Sequence, residues 1–300
     1  MKDKIHNFIN LSIRKSAISS ERGKKMQQVT KNIFVETGFR GCNPGFIVTS
    51  DGLVLVDSPH RPTDGMAYKK ALEKHGRVKY FINTEPHADH FSSNFLFEAT
   101  YVAHQGTRAR MADRAFMDRM KEMLAMVDPD YAPYLDNYKV PLPEITFTDT
   151  MTLFVGEHTL KLMHLPGHTA SETAVFIPEE KSVFTGDNIF HKTNTFMHEA
   201  LPKSWLDSLE KLKALDAEFY IPGHGEVCGR DYLDEQASVV NEWIEVARNA
   251  VNRGWSLEEA QERISFMERY PVEEEMKARA RELEKVGIAN VYKLAKKGQL

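Results

Sequence analysis

The most restrictive feature of the chain is that four apolar segments each run directly into a turn that contains histidine or aspartate. The first segment, residues 78–82, precedes Asn-Thr-Glu-Pro-His-Ala-Asp-His-Phe at 83–91. The other three precede Pro-Gly-His at 166–168, Thr-Gly-Asp at 185–187 and Pro-Gly-His at 222–224. Short β-branched and aromatic runs predict buried strands, and Gly or Pro-Gly lets the chain turn sharply after a strand. The pattern therefore predicts an α/β protein in which four strand-end loops converge.

The four loops together offer four imidazoles and three carboxylates. Nitrogen and oxygen donors in this number, without a thiolate, suit a centre of two zinc ions or other borderline first-row divalent ions. Singly, each residue could be a hydrogen-bonded loop histidine, a turn-forming aspartate or a helix cap. A chain without a metal centre would need all of these separate explanations to hold at once, which is improbable. We therefore predict a metal centre. Its predicted ligands are Glu85, His87, Asp89, His90, His168, Asp187 and His224.

The order and spacing of these motifs resemble those of the metallo-β-lactamase superfamily. Residues 83–91 resemble its His-x-His-x-Asp-His signature, but Glu85 stands where the first histidine is expected. The resemblance covers roughly residues 30–226 and implies a four-layer α-β-β-α sandwich. It also implies that Glu85, His87 and His168 hold one ion, that Asp89, His90 and His224 hold the other, and that Asp187 bridges them.

Glu85 changes what such a centre could do. A carboxylate in place of an imidazole makes the centre less positive, so a bound water would be less acidic and anionic substrates would bind less well. The additional oxygen donor makes manganese or iron an alternative to zinc. A competing hypothesis is that Glu85 points away, leaving the first ion weakly held.

The resemblance implies metal-assisted hydrolysis, in which the ions polarise the scissile bond and supply hydroxide while Asp89 or Asp187 accepts a proton. The expected substrates are small esters, lactones or amides, including β-lactams. Glu85 weakens the analogy with glyoxalase-II-like thioesterases and lactonases, and Asp187 together with the absence of an export signal argues against a β-lactamase. An iron-containing oxidoreductase or dioxygenase of the same fold, and a non-catalytic binding module, are the alternatives.

The chain divides into three predicted regions. Residues 1–24 form a polar N-terminal extension, residues 25–230 the metallo-β-lactamase-fold domain, and residues 231–300 a C-terminal helical extension. The helical extension could cover the pocket, form a homodimer surface or simply pack against the sandwich. A net charge of −4, the lack of a long apolar segment and only two cysteines predict a cytoplasmic protein with a small-molecule substrate, and neither nucleic acid nor membrane as a partner.

Several residues outside the predicted ligand set are expected near it. Asp57, at the end of an apolar run, resembles the family's strand-end aspartate, which supports the ligand loops. His60, His191 and His198 lie in loops near the predicted centre and are weaker candidates for a role in it. Cys42 is expected to lie in a flanking loop without a role in the chemistry.

Helices are predicted in the remaining segments. Thr63 or Asp64 would cap the first helix, Ser204 or its neighbours the fourth, and Ser256 with Glu259 would form a capping box at the sixth. The predicted helices span 63–76, 92–98, 106–127, 203–214, 232–252, 256–264 and 272–297.

Overall fold

The computed structural model describes residues 26–272 and 274–300. The predicted N-terminal extension, residues 1–24, lies outside the described residues. Two β-sheets pack face to face with helices on both outer sides, which confirms the predicted four-layer α-β-β-α sandwich. Within the described residues, no helix is both long and apolar enough to cross a membrane.

The first sheet contains seven strands in sequence order, antiparallel from β1 to β4 and parallel from β4 to β7. Its strands are β1 (Met26–Gln28), β2 (Ile33–Glu36), β3 (Gly45–Thr49), β4 (Gly52–Val56), β5 (Val78–Asn83), β6 (Thr100–His104) and β7 (Ile145–Phe147). The second sheet has the order β12-β11-β10-β9-β8, with β11 and β12 parallel. Its strands are β8 (Thr150–Val155), β9 (His158–His164), β10 (Thr173–Ile177), β11 (Ser182–His191) and β12 (Phe219–Gly225).

The α-helices flank the two sheets and follow the predicted order. They are α1 (Pro62–Leu72), α2 (Ala88–Phe91), α3 (Gln105–Met111), α4 (Arg114–Val127), α5 (Pro202–Lys213), α6 (Tyr232–Asn252), α7 (Leu257–Arg263) and α8 (Lys277–Lys296). Short 3₁₀ turns cover Asn94–Leu96, Ala132–Asn137, Pro178–Glu180 and Glu274–Met276. The capping box of Ser256 and Glu259 is confirmed.

Three helix predictions were wrong in detail. The single helix predicted over 106–127 is two helices, because Asp113 accepts a hydrogen bond from the Phe116 N–H at 2.6 Å and starts a new helix there. Thr63 does not cap α1, because its side chain donates to Asp128 at 2.9 Å instead. The helix predicted over 92–98 is replaced by α2 and a 3₁₀ turn.

Two further predicted caps are absent. Arg61 occupies the N-cap position of α1, so Asp64 lies inside the helix and does not cap it. Leu201 occupies the N-cap position of α5, so Ser204 lies inside that helix and does not cap it. Neither helix has a side-chain cap. Both helices carry proline in the first turn, where the missing N–H has no intrahelical partner to lose.

The core lies in three layers, one between the sheets and one beneath each helical layer. Ile47 and Val54 of the first sheet meet Leu162 and Val175 of the second in the central layer. Strands β3 and β4 are largely apolar on both faces because they also pack against the helical layer that contains α1. This stacking fixes the strand ends from which the candidate site is built.

The C-terminal helices share the core of the second sheet. Trp205 of α5, Trp243 of α6 and Ile288 of α8 belong to one buried cluster with Phe176 of β10 and Val183 of β11. Of the three roles considered for residues 231–300, packing against the sandwich is therefore observed. The division at residue 230 stays a proposal.

Candidate metal centre

The seven predicted ligands meet at one edge of the sandwich. Glu85 and His87 follow β5, and Asp89 and His90 lie in α2. His168 lies in the turn between β9 and β10, whereas Asp187 and His224 lie inside β11 and β12, which continue past the predicted strand ends. The strand register shifts around Gly186 in β11, where the glycine φ of +54° lets the chain deviate and directs Asp187 at the centre.

One half of the centre contains Asp89, His90 and His224. Nε2 of His224 lies 3.3 Å from both Oδ2 of Asp89 and Oδ2 of Asp187. Nε2 of His90 lies 3.2 Å from Oδ1 of Asp187. Asp187 therefore contacts both imidazoles of this half.

The other half contains Glu85, His87 and His168. Oε1 of Glu85 lies 2.9 Å from Nδ1 of His87, and Nε2 of His168 lies 3.2 Å from the same nitrogen. His168 also reaches to 3.6 Å from Oδ2 of Asp187. Because Oε1 of Glu85 is only 3.1 Å from Nε2 of His90, the buried Glu85 carboxylate faces the centre and contacts both halves.

The donor atoms fit divalent cations. Oε2 of Glu85, Nε2 of His90 and Oδ1 of Asp187 are buried, and none of them forms a hydrogen bond of normal geometry with a described residue, although the last two lie 3.2 Å apart. Buried polar atoms are normally paired, so unpaired atoms converging here indicate a missing partner. Ligand atoms of Glu85, His87, His168 and Asp187 all lie within 4.8 Å of one another, as do those of Asp89, His90 and His224.

The pKa values of the centre depend on competition between burial and charge. Burial lowers the pKa of His168 well below its usual value and keeps this imidazole neutral, as a ligand must be. Burial also opposes protonation of His224, but Asp187 and Asp89 outweigh it and raise the pKa of His224 to about 10. Burial raises the pKa of Glu85 despite the neighbouring His87 and His90. A bound cation would replace the protons that otherwise neutralise these carboxylates.

Asp57 fixes the ligand loop, as predicted. Its carboxylate accepts hydrogen bonds from the Thr84 N–H at 2.8 Å and the Thr84 hydroxyl at 2.6 Å. It also lies 2.9 Å from Nδ1 of His90, which leaves Nε2 directed at the centre. A histidine that donates one N–H to a carboxylate is held in the tautomer and orientation needed for metal binding through the other nitrogen.

Two residues next to the centre were missed as members of it. Glu172 is fully buried and accepts hydrogen bonds from the Asp187 N–H at 2.8 Å and from the Thr169 hydroxyl at 3.1 Å. Burial, with Glu85 and Asp187 nearby, raises the pKa of Glu172 well above its usual value. Its only sequence signal is an acidic residue directly before the apolar strand β10.

The second missed residue is His198, which was only a weaker candidate. Its Nε2 lies 3.1 Å from Nε2 of His87, so it joins the cluster. The other two weaker candidates stay outside the ligand clusters found in the described chain. His191 packs edge-on against Tyr232 at 4.5 Å between ring centroids, and His60 is buried next to Gly41.

Cys42 was predicted to lie in a flanking loop, and it lies against the centre, next to His90. Its thiol is fully buried, donates to the Ser58 carbonyl at 3.4 Å and groups with Asp57 and His90. Burial raises the pKa of the thiol well above its usual value, so it stays protonated. A protonated buried thiol packs as a small apolar group, in agreement with the absence of a predicted chemical role.

An open pocket of about 320 Å³ adjoins the centre. Arg110 and Glu199 face each other at its wall, with 2.6 Å between Nη2 of Arg110 and Oε1 of Glu199. Nε of Arg110 is buried and has no hydrogen-bond partner among the described residues. The pocket adjoins the centre at Glu199, whose Oε2 lies 3.8 Å from Nε2 of His87.

Comparison with known proteins identifies the family. The sequence profile of the metallo-beta-lactamase superfamily matches residues 37–224, and the chain belongs to this superfamily. A hydroxyacylglutathione hydrolase of Brucella anthropi is 29% identical over 201 residues, which cover 66% of this chain and 65% of that protein. The chain thus matches slightly less than two thirds of that relative's length. A beta-lactamase-like protein 2 homolog of Caenorhabditis elegans is 35% identical over 97 residues, covering 32% of this chain and 30% of that protein.

Solved structures share the fold. A metallo-beta-lactamase from Pontibacter korlensis superposes with a TM-score of 0.59 at 18% identity, covering 73% of this chain and 99% of that one. The sec-alkylsulfatase Pisa1 from Pseudomonas sp. superposes with a TM-score of 0.63 at 16% identity, covering 90% of this chain and 50% of that one. At these identities the likeness establishes the architecture and leaves the substrate open.

Proposed function

We propose that this protein is a metal-dependent hydrolase that cleaves a small ester, thioester, lactone or amide. The observation that carries the proposal is the convergence of four imidazoles and three carboxylates at one edge of the sandwich, with buried donor atoms that lack partners. The relatives named hydroxyacylglutathione hydrolase support the thioester, although Glu85 weakens that analogy. A β-lactam stays a candidate amide substrate.

The proposed ligand set is the one that the sequence predicted. When divalent ions occupy such a set, they polarise the scissile bond and lower the pKa of a water molecule towards neutrality. Zinc is the favoured ion, with manganese and iron as alternatives. Glu85, His87 and His168 would hold the first ion and Asp89, His90 and His224 the second, with Asp187 between them.

Asp89 is the proposed proton acceptor, because it is the most exposed carboxylate of the centre. Its side chain is 24% exposed, compared with 4% for Asp187 and none for Glu85. A carboxylate that exchanges protons with substrate must reach the open side of the site. The Asp187 N–H donates to the Glu172 carboxylate, and the Asp187 carboxylate faces three imidazoles. These contacts favour a positioning role for Asp187, with a smaller share in proton transfer.

The pocket beside the centre supports a small substrate. Its volume of about 320 Å³ lies at the lower end of ordinary ligand pockets. The guanidinium of Arg110, whose side chain is 37% exposed, can bond a carbonyl or carboxylate of the substrate, and Glu199 offers an acceptor. We therefore expect a substrate that carries both hydrogen-bond donors and acceptors beside its scissile bond.

The test combines metal analysis with a hydrolysis panel. The purified protein should contain two divalent ions per chain and should cleave at least one of a hydroxyacylglutathione thioester, a lactone, an aryl ester and a β-lactam. Asp89→Asn should lower kcat by about 10²–10⁴-fold, the range for loss of general acid–base catalysis. Asp118→Asn, which changes an exposed carboxylate of α4 outside the pocket lining, is the control and should retain most activity. Absence of bound metal would refute the proposal, and iron with oxygen consumption would favour the oxidoreductase alternative.

A further inference from the structure

His198 lies against the half of the centre that lacks the expected histidine. The residue belongs to the segment between β11 and α5, 111 positions after His87 in the sequence. Its Nε2 is 3.1 Å from Nε2 of His87, and its ring centroid is 4.6 Å from that of His87 and 5.3 Å from that of His168. One ligand atom from each of the three residues lies within 4.8 Å of the other two.

The segment around His198 is fixed on both sides. Nδ1 of His168 donates to the Phe196 carbonyl at 2.8 Å. Nδ2 of Asn290, on α8, donates to the carbonyls of Met197 at 2.8 Å and Ala200 at 3.0 Å. These bonds flank His198 directly, so its position does not depend on contacts of its own ring.

The two nitrogens of His87 face different groups. Nδ1 faces Oε1 of Glu85 at 2.9 Å and Nε2 of His168 at 3.2 Å, whereas Nε2 faces Nε2 of His198 at 3.1 Å and Oε2 of Glu199 at 3.8 Å. A metal-binding histidine ordinarily donates one N–H to a carboxylate and binds the ion through the other nitrogen. The separation of 3.1 Å between Nε2 of His87 and Nε2 of His198 is close to the roughly 3.3 Å expected for two nitrogens on one tetrahedral zinc.

We propose that His198 is a ligand of the first ion, which it binds together with His87 and His168. It supplies the third imidazole that the signature would place at position 85. Glu85 contributes its charge from between the two halves, in contact with His87 and His90. The inference rests on the proposed function, because it refines the ligand set of the same centre.

The test measures zinc binding to the full-length protein, with the metal alone as the probe. Zinc stoichiometry and affinity are measured in chelator-buffered zinc, and X-ray absorption at the zinc edge counts the imidazoles. His198→Ala should lower the affinity for one of the two ions by more than the approximately 10–100-fold typical of residues that only orient a ligand. It should also remove one imidazole from the ligands of that ion. His191→Ala is the matched control, because this ring packs on Tyr232 away from the centre.

The outcomes separate the two proposals. If the wild-type protein binds no zinc, the proposed function fails. If it binds two ions and His198→Ala binds them equally well, or keeps the same imidazole count, the role of His198 as a ligand is overturned and the proposed function stands. His198→Gln, which keeps a polar side chain, provides the same readouts if His198→Ala does not fold.

Asn290 provides a second test from outside the centre. Asn290→Ala removes both hydrogen bonds to the His198 segment, and we expect the affinity for the first ion to fall by about tenfold or more while the imidazole count stays unchanged. Asn241→Ala is the control, because the Asn241 side-chain amide donates to the Ala237 carbonyl within its own helix. Equal zinc affinity in both variants would show that α8 does not hold the ligand, and His198 would then lose its structural support as a fixed donor.

Discussion

Removing the Asp57 carboxylate should affect folding and metal binding to different extents, depending on the replacement. The carboxylate is buried, accepts two hydrogen bonds from Thr84 and contacts Nδ1 of His90. The backbone of Asp57 has a φ of +58°, in the left-handed region. Asparagine adopts this conformation readily, whereas alanine does not.

The expected magnitudes follow from the number of polar groups left unpaired. Asp57→Ala leaves the Thr84 N–H unpaired, at a cost of about 1–3 kcal/mol. The Thr84 hydroxyl and Nδ1 of His90 also lose the carboxylate, but they lie 3.3 Å apart and can bond each other. The left-handed backbone adds about 1–2 kcal/mol. We therefore expect a loss of about 2–5 kcal/mol, a large part of the roughly 5–15 kcal/mol that stabilises an ordinary domain.

Asp57→Asn separates the charge of the residue from its shape. It keeps the backbone conformation and an oxygen that can accept from Thr84, but it loses the charge that faces His90. We expect a smaller destabilisation, about 1–2 kcal/mol, and a fall in zinc affinity of about 10–100-fold.

Denaturant unfolding of the chelator-treated variants measures the first effect, and competition with a chromophoric chelator measures the second. An Asp57→Ala protein within about 1 kcal/mol of the wild type would refute the stability argument. Wild-type zinc affinity in Asp57→Asn would refute the argument that the carboxylate orients His90.

Three further substitutions test other features. Glu85→His removes the negative charge of a carboxylate, so zinc content or the pH–rate profile should change. No change in either would exclude a tuning role. Arg110→Ala should raise KM for carboxylate-bearing substrates by roughly tenfold or more. Loss of the half-exposed ion pair between Arg110 and Glu199 should cost less than about 1 kcal/mol of stability. An unchanged KM would exclude Arg110 from substrate binding. Gly186→Ala should lower the free energy of unfolding by about 1–3 kcal/mol and weaken zinc binding, because φ is +54° and the new Cβ would collide with the buried Glu172 carboxylate. Gly229→Ala, with open space around the new Cβ, is the control.

The convergence of the motifs was predictable because strand order brings strand ends together. Residues 83–91 contain four of the seven predicted ligands in one local pattern, and the Gly-containing turns marked the other three. What the local pattern could not predict is that β11 and β12 continue past Asp187 and His224. Pairing between the two parallel strands persists to His191 and Gly225 across register shifts, and such pairing depends on both strands together.

His198 and Glu172 could not be assigned from the sequence for a related reason. Neither lies in a motif, and each reaches the centre through contacts distant in the chain. His198 depends on Asn290, more than ninety positions later, and Glu172 depends on the bulge that exposes the Asp187 N–H. Local periodicity contains no information about such pairs, so the donor set was predicted more completely than the residues that position it.

The C-terminal helices connect the stability of the fold to the geometry of the centre. Trp243 of α6 and Ile288 of α8 are buried in the core that also contains Trp205 and Phe190, and the ring of Phe190 stacks on His224 at 5.3 Å. Helix α8 also carries Asn290, which donates to the Met197 carbonyl next to His198. Because the core and the centre share these elements, a change that loosens α8 should shift metal affinity before it unfolds the sheets. We therefore expect the C-terminal helices to support the proposed centre by positioning its ligands.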